Sequence, residues 1–414
     1  MPIYNHIYSY IKIYSCLLFL SIFSTLHSQT PDEYLESGNS KFCKKDYNGA
    51  ISDYTKAIVL SPNFDEAYNK RGASKFELKD FKGAIEDYTK AIEFYPNFDE
   101  AYFNRGISKY KLKDYLGAIA DFTKAIELKP NFNQAYYNRG FSKDELKDFT
   151  GAIEDYTKAI ELNPNFDKAY NNRGFSKVKL KDFYGAIKDY TKAIELNPNY
   201  DEAYYNRGIS KLKLKDYLGT IDDCTKAIEL NPIFDKAYNN RGFSKVKLKD
   251  FYGAIEDFTK TIEINPNNSE AYNNRAISKF ELKDFKGAIE DNTKAIELNS
   301  NYEDAYRNRG VAKYMLNDFL GAIEDYTKTI EINPNDYDAY YSRGISRLKL
   351  KDYNGTIFDF TKAIEINPLN SLYYLQRARV KLLINQTNNA CSDFNKAKEL
   401  GDEKAIELIN KYCK

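Results

Sequence analysis

The sequence has no tryptophan and only two histidines, His6 and His27, both within its first 30 residues. Downstream of them no imidazole is present to serve as a general base, so a Ser–His or Cys–His nucleophile set is excluded there. Cysteine is scarce too: Cys16, Cys43, Cys224, Cys391 and Cys413, with no CxxC pair among them. Without CxxC pairs or histidine to complete a ligand set, a metal site is not expected. Neither sign of charge is in excess, with 61 basic against 60 acidic residues and a net charge of +1. Such a balance gives no bulk attraction to nucleic acid or to an anionic membrane. P-loop, dinucleotide fingerprint, HExxH and EF-hand patterns are all missing. These absences predict a chain that is not an enzyme, binds no cofactor and takes no small-molecule substrate or nucleic acid.

Long apolar runs are also lacking. The main one, "CLLFLSIF" from Cys16 to Phe23, follows Lys12 and precedes the small, polar "TLHSQT". It is short for a bilayer span and has the length of a signal-peptide core. Residues 1–28 are therefore expected to be an export signal, cleaved near Ser28–Gln29, which places the protein in the periplasm, on the cell surface or in the medium. The alternative is a retained membrane anchor formed by residues 13–26, and that segment is the only membrane contact expected. Cys16 precedes the apolar run and so does not suit a lipoprotein cysteine. Export makes disulfides possible.

What the sequence does have is repetition. "FDKAYNNRGFSKVKLKDFYGAI", from Phe166 to Ile187, returns letter for letter from Phe234 to Ile255, an offset of 68 residues. Prolines recur every 34 residues, at Pro62, Pro96, Pro130, Pro164, Pro198, Pro232, Pro266, Pro334 and Pro368, and Ser300 fills the one gap. A fixed period of this length is the mark of stacked structural units. Eleven units fit: 31–64, 65–98, 99–132, 133–166, 167–200, 201–234, 235–268, 269–302, 303–336, 337–370 and 371–404. In the unit 167–200, Asp167 is a candidate N-cap for a first helix and Asp182 for a second. The second helix carries Ala186, Ile187, Tyr190, Ala193, Ile194 and Leu196 near helical spacing, and Pro198 ends it. Gly185 reads as a further small residue at the crossing of the two helices, required there by packing or by turn geometry.

With these residues in place, the chain resembles the tetratricopeptide repeat family. That repeat has an aromatic at its fourth place, small residues at the eighth and twentieth, an aromatic at the twenty-fourth, Ala at the twenty-seventh and Pro near the end. Here those places hold Tyr170, Gly174, Ala186, Tyr190, Ala193 and Pro198. The resemblance covers residues 31–404. It implies an all-α, right-handed superhelical solenoid of about eleven 34-residue helix–turn–helix repeats, closed by a C-terminal capping helix whose end is residues 405–414. It also implies a non-catalytic scaffold or adaptor that holds a protein or peptide partner in a concave groove. Two alternatives are a self-associating, envelope-organising solenoid and an adaptor of a secretion or surface-assembly machine. The groove-facing places hold Phe103, Ile107 and Tyr110; Tyr137 and Phe141; Phe175 and Val178; Tyr205, Ile209 and Leu212; Phe243 and Val246. A carboxylate clamp for acidic chaperone tails is not expected. The Lys it requires at the fifth place is replaced by Leu35, Asn69, Phe103 and their equivalents.

The chain departs from the family where Arg and Lys occupy the seventh and eleventh places, as in Arg71 and Lys75, Arg105 and Lys109, Arg139 and Lys143. Asp stands at the twenty-third place of every unit, beginning with Asp53, Asp87 and Asp121. Because a buried Arg needs a partner, these rows are expected to form a charge ladder. Unit one has Ser37 in the Arg place yet keeps Asp53. That favours each Asp reaching forward to the next unit's Arg, Asp53 to Arg71 and Asp87 to Arg105, with pairing inside one unit as the alternative. Cys391 and Cys413 come level in a helix pair turning at about 401–402, and in an exported chain they are expected to form a disulfide. Cys224 replaces a core aromatic and reads as packed, while Cys43 reads as a surface or groove residue.

Overall fold

The computed structural model describes residues 29–413, and among them it contains helices and turns but no strand. The expected export signal or anchor, with Cys16 and both histidines, lies outside the described residues. The helices are α1 (Pro31–Cys43), α2 (Tyr47–Leu60), α3 (Asp65–Glu77), α4 (Phe81–Phe94), α5 (Asp99–Lys111), α6 (Tyr115–Leu128), α7 (Asn133–Glu145) and α8 (Phe149–Leu162). There follow α9 (Asp167–Lys179), α10 (Phe183–Leu196), α11 (Asp201–Lys213), α12 (Tyr217–Leu230), α13 (Asp235–Lys247), α14 (Phe251–Ile264), α15 (Ser269–Glu281) and α16 (Phe285–Leu298). The last seven are α17 (Glu303–Met315), α18 (Phe319–Ile332), α19 (Tyr337–Lys349), α20 (Tyr353–Ile366), α21 (Ser371–Leu383), α22 (Thr387–Glu399) and α23 (Glu403–Tyr412). They form two compact units, one ending at Ser210 and the other beginning at Lys211. In each unit an odd-numbered helix (A) and the next even-numbered helix (B) pair across a three-residue turn, and each pair packs on the following one.

The turn between A and B is the most uniform local structure. After α3, the Lys79 N–H donates to the Phe76 carbonyl and the Asp80 N–H to the Lys75 carbonyl. This is a Schellman ending, which needs a left-handed residue at its centre. Lys79 supplies it with φ of 65°, and equivalent lysines do so at nearly every turn. Asp80 then caps α4, its side chain accepting the Gly83 N–H. The same cap explains the glycine at its third helical position. The atoms nearest to a Cβ on Gly185 would be those of the Asp182 carboxylate. Of the two requirements expected for this glycine, packing and turn geometry, the cap supplies the second. The start of the first helix shifts by one residue. Phe166 occupies the N-cap without a side-chain bond, and Asp167 is the first helical residue.

The core of each unit is a column of alanines with one large ring per repeat, except in the repeats that carry Cys224 and Asn292. Ala84, Tyr88 and Ala91 are fully or almost fully buried. The helices approach most closely where Gly72 faces Tyr88: a Cβ there would stand 2.9 Å from the ring and 3.2 Å from the Ala84 carbonyl. Where Asn292 replaces the ring, Ala276 replaces the glycine. Cys224, in the ring position of its own repeat, is fully buried, and burial pushes its thiol up to about 12. Cys43 is exposed. At the C-terminus α23 packs Ala405, Leu408 and Ile409 against Phe394 and Ala397, and a disulfide joins Cys391 to Cys413.

Candidate functional site

The charge ladder is built within repeats. Arg71, on α3, forks onto Asp87 of α4 with Nε donating to Oδ2 at 2.9 Å and Nη2 to Oδ1 at 2.6 Å. Lys75, one turn along α3, meets the same carboxylate at 2.8 Å. The remaining Arg71 nitrogen, Nη1, donates to Thr55 Oγ1 on α2 of the preceding repeat at 3.2 Å. The guanidinium also lies over the Tyr68 ring, 5.3 Å from its centroid. Arg105–Asp121 and Arg139–Asp155 repeat the arrangement in the first unit, and Arg241–Asp257 and Arg275–Asp291 in the second.

The expected forward pairing of Asp53 with Arg71 and of Asp87 with Arg105 is therefore corrected. An Arg that forks bidentately uses two nitrogens on one carboxylate, and the α3–α4 contact presents Asp87 squarely to Arg71. Only the third nitrogen is left to cross to the previous repeat, where it finds a hydroxyl. The ladder does link repeats, but through Thr55 and its equivalents. The first repeat has Ser37 in the Arg place. There Ser37 donates to Asp53 at 2.6 Å and Lys41 sits 2.6 Å from it. Burial raises the Asp53 pKa, but the bonds from Lys41 and Ser37 prevail and hold it below the ordinary carboxylate value. In the fully buried Asp359 burial prevails over Arg343 and Arg347, and its pKa is raised.

The A-helix face holds the expected partner-binding residues, and it sorts them into two layers. Phe103 and Tyr137 face inward. Phe103 packs 4.6 Å from Phe132 and 5.7 Å from Phe122, and Tyr137 packs 4.7 Å from Phe166 and 5.7 Å from Tyr156, measured between ring centroids. Tyr137 is buried, and its hydroxyl accepts a bond from Asn172 Nδ2 at 2.9 Å. These two rings brace one repeat against the next, Tyr137 buried and Phe103 half-buried. The outer layer is Tyr110, Phe141 and Phe175. Phe141 lies 5.3 Å from Tyr110 and stacks parallel to Tyr137, while Phe175 is 41% exposed with Lys179 Nζ 4.8 Å above its ring. Phe243 has the matching place in the second unit under Lys247, and Tyr205 and Leu212 are half-buried on α11. Along the same face burial holds Lys168 below and Glu202 above their ordinary pKa values, each disfavoured in its charged form.

One row on this face escaped the sequence reading. The asparagine at the sixth place reaches back to the fifth place of the preceding repeat: Asn206 to Asn171 at 3.2 Å, Asn172 to the Tyr137 hydroxyl, and Asn308 to Asn273 at 2.9 Å. Where the fifth place offers no acceptor, as at Phe103, Asn138 turns instead onto the Gln134 carbonyl at 2.7 Å. The "NNRG" and "YNRG" strings carry this signal, but only a structure shows that the partner lies 35 residues upstream. A shallow pocket among Asn39, Asn69, Lys70 and Glu100 opens onto the same row.

The family model described as "Tetratricopeptide repeat" matches residues 65–98, 99–132, 134–166, 167–200, 235–268, 269–302 and 303–336. Related repeat models match 38–79, 189–219 and 325–357. Among solved structures, MamA is 30% identical over 39% of this chain and 94% of its own, with a TM-score of 0.38. A tetratricopeptide repeat protein from Parabacteroides merdae is 19% identical over 59% of this chain and 96% of its own, with a TM-score of 0.45. YrrB, titled a TPR protein with an unusual peptide-binding site, is 22% identical over 44% of this chain and 95% of its own, with a TM-score of 0.41. No curated protein matches the chain.

Proposed function

The chain belongs to the tetratricopeptide repeat family, a scaffold fold suited to protein–protein interaction, and we propose that it is an exported, non-catalytic adaptor that holds a protein partner along the A-helix face of its first unit. The observation that carries this reading is the outer aromatic layer. Tyr110, Phe141 and Phe175 stand on successive A helices, over an inner layer that is already packed, and Phe175 remains 41% exposed. Rings on a rigid, braced support are the side chains that anchor partners at low entropic cost. The half-buried Lys168 and Glu202 beside them supply polar groups that gain from pairing with a partner. Export is supported by the short apolar run before residue 28 and by the Cys391–Cys413 disulfide, a bond that persists in oxidising compartments.

The test is a photo-cross-linking residue placed at Phe175 in the native host. The expected result is a single cross-linked protein species that disappears when Phe141 is changed to Ala, with the melting temperature little altered. Cross-links only between copies of this chain, or a partner retained in the Phe141→Ala protein, would reject the reading. N-terminal sequencing of the mature protein is expected to begin near Gln29.

A further inference from the structure

The turns between A and B helices set charges of both signs side by side on the surface. Lys113 and Asp114 join α5 to α6, Lys147 and Asp148 join α7 to α8, and Lys181 and Asp182 join α9 to α10; all six are exposed. The Schellman ending fixes this arrangement, since its left-handed lysine is followed at once by the capping aspartate. Each aspartate commits one oxygen to its cap, Oδ1 accepting the N–H of Gly117, Gly151 or Gly185. The lysines that do pair with aspartate lie a turn earlier on the A helices, as Lys109 does with Asp121, Lys143 with Asp155 and Lys177 with Asp189. The six charges at the turns make no ion pair among the described residues.

Apolar side chains flank each couple. In "LKDYL", from Leu112 to Leu116, the two leucines are 42% and 72% exposed, and Tyr115 between them lies half-buried against Tyr110. In "LKDFY", Leu180 is 49% and Tyr184 72% exposed. The turn between these two keeps Leu146, 42% exposed, and has Thr150 in the last place. Among the exposed side chains of "LKDYL" the order is the same from either end: apolar, charged, oppositely charged, apolar. Laid against a second such string in the opposite sense, it brings Leu112 to Leu116 and Lys113 to Asp114, each contact twice. That reciprocity is the property of an isologous, two-fold interface. Successive turns repeat the couple at one 34-residue spacing, because α5, α7 and α9 pack side by side in order.

We propose that these turns of repeats three to five pair with the same turns of a second copy of this chain. A surface of one sign, such as nucleic acid or anionic lipid, repels half of the charges on this edge. A second copy offers both signs, in the matching order and at the matching spacing. Leu116 and Tyr184 supply the apolar contacts, and the lysine–aspartate couples set the register, since exposed ion pairs by themselves hold little. Three short turns make an interface smaller than the roughly 800 Å² per partner of a standard stable complex, so the dimer is weak and concentration-dependent. The contact uses the turns and not Tyr110, Phe141 or Phe175, so losing it leaves the Phe175 cross-link expected above unchanged.

The test is sedimentation equilibrium of the purified full chain over a micromolar concentration series. Two variants each remove one sign of charge and keep the turn. Lys113→Asn, Lys147→Asn and Lys181→Asn together leave the aspartates, and Asn suits the left-handed residue. Asp114→Asn, Asp148→Asn and Asp182→Asn together leave the lysines, and Asn caps a helix as Asp does. Each variant alone is expected to associate roughly tenfold more weakly than the parent, because like charges now face each other. An equimolar mixture of the two is expected to recover association, since each carries the charge that the other lacks. Leu116→Thr with Tyr184→Thr, the residue already at Thr150, is expected to weaken association about tenfold. Circular dichroism melts establish that each variant is folded. The proposal is overturned if the parent is monomeric throughout the series, the outcome for an edge that serves a different partner. It is also overturned if either charge variant associates like the parent, which places self-association elsewhere, or if the mixture associates no better than its components.

Discussion

Asp144 stands where every other repeat carries an apolar or aromatic residue, such as Phe76, Tyr110 and Val178. Its two oxygens accept the Tyr156 and Ser176 hydroxyls, each at 2.7 Å, so it ties one repeat to the next. Burial pushes its pKa up to about 6, and the hydroxyl bonds from Ser176 and Tyr156 only partly oppose this. The folded protein therefore holds a proton that the unfolded chain has released, in the interval between about 4 and the folded value. Stability from this group is full below that interval and falls as pH rises through about 6. Asp144→Asn, with the same shape and no charge, is expected to raise the melting temperature near neutral pH and leave it almost unchanged near pH 4. Thermal melts at the two ends check this, and an equal effect at both would show that the carboxylate is not desolvated. Residue-level expectations succeeded where a residue type has one physical use, as with proline ending the second helix. They failed where a residue has several. Arg71 could face either neighbouring B helix, and only the fork of its guanidinium decides between them.

At the scale of the element, the helix pair was legible because its determinants are local. The aspartate before all but the last B helix, the proline that follows most of them and the alanine spacing all act within a few residues. The helix ends and the Schellman turn were less so, since Lys79 and its equivalents are poor left-handed residues and carry no turn signature. The two aromatic layers of the A helices could not be separated by spacing alone. Phe103 and Tyr137 are drawn inward by Phe132 and Phe166, which belong to the cap of the following helix. The capping helix α23 makes its own prediction. It is held by a small apolar patch and by the Cys391–Cys413 bond, which spans 22 residues. Closing a loop of that length stabilises a fold by roughly 3 kcal/mol in the chain-entropy account. Cys391→Ser is expected to increase amide exchange in 403–412 sharply and to leave the α3–α10 amides unchanged. Uniform protection in the variant would mean that packing alone holds the helix.

For the molecule as a whole, the ladder is the feature that crosses repeats everywhere with the same letters. Each Arg needs an Asp in its own repeat and a Thr in the one before, and nothing else about the neighbour's identity. Deleting residues 235–268, one full period, brings Arg275 to Thr225 in place of Thr259, its present partner. The shortened chain is expected to fold with helical signal reduced in proportion to its length and to melt cooperatively. Deleting about half a period from the same region breaks the register and is expected to give an aggregating product. Circular dichroism and size-exclusion chromatography of the two deletions distinguish these outcomes, and equal behaviour would show that the rungs do not set the register.

The threonine joint has one more consequence. Since any repeat with the Arg can follow any repeat with the Thr, an unequal exchange between two copies of the gene that keeps the 34-residue phase yields a longer or shorter chain whose joints still close. The 22 residues from Phe166 to Ile187 that return from Phe234 to Ile255 are identical at an offset of two whole periods, the phase such an exchange would preserve. Selection on a chain of this kind can act on copy number as readily as on side chains, so the number of repeats is itself a heritable trait.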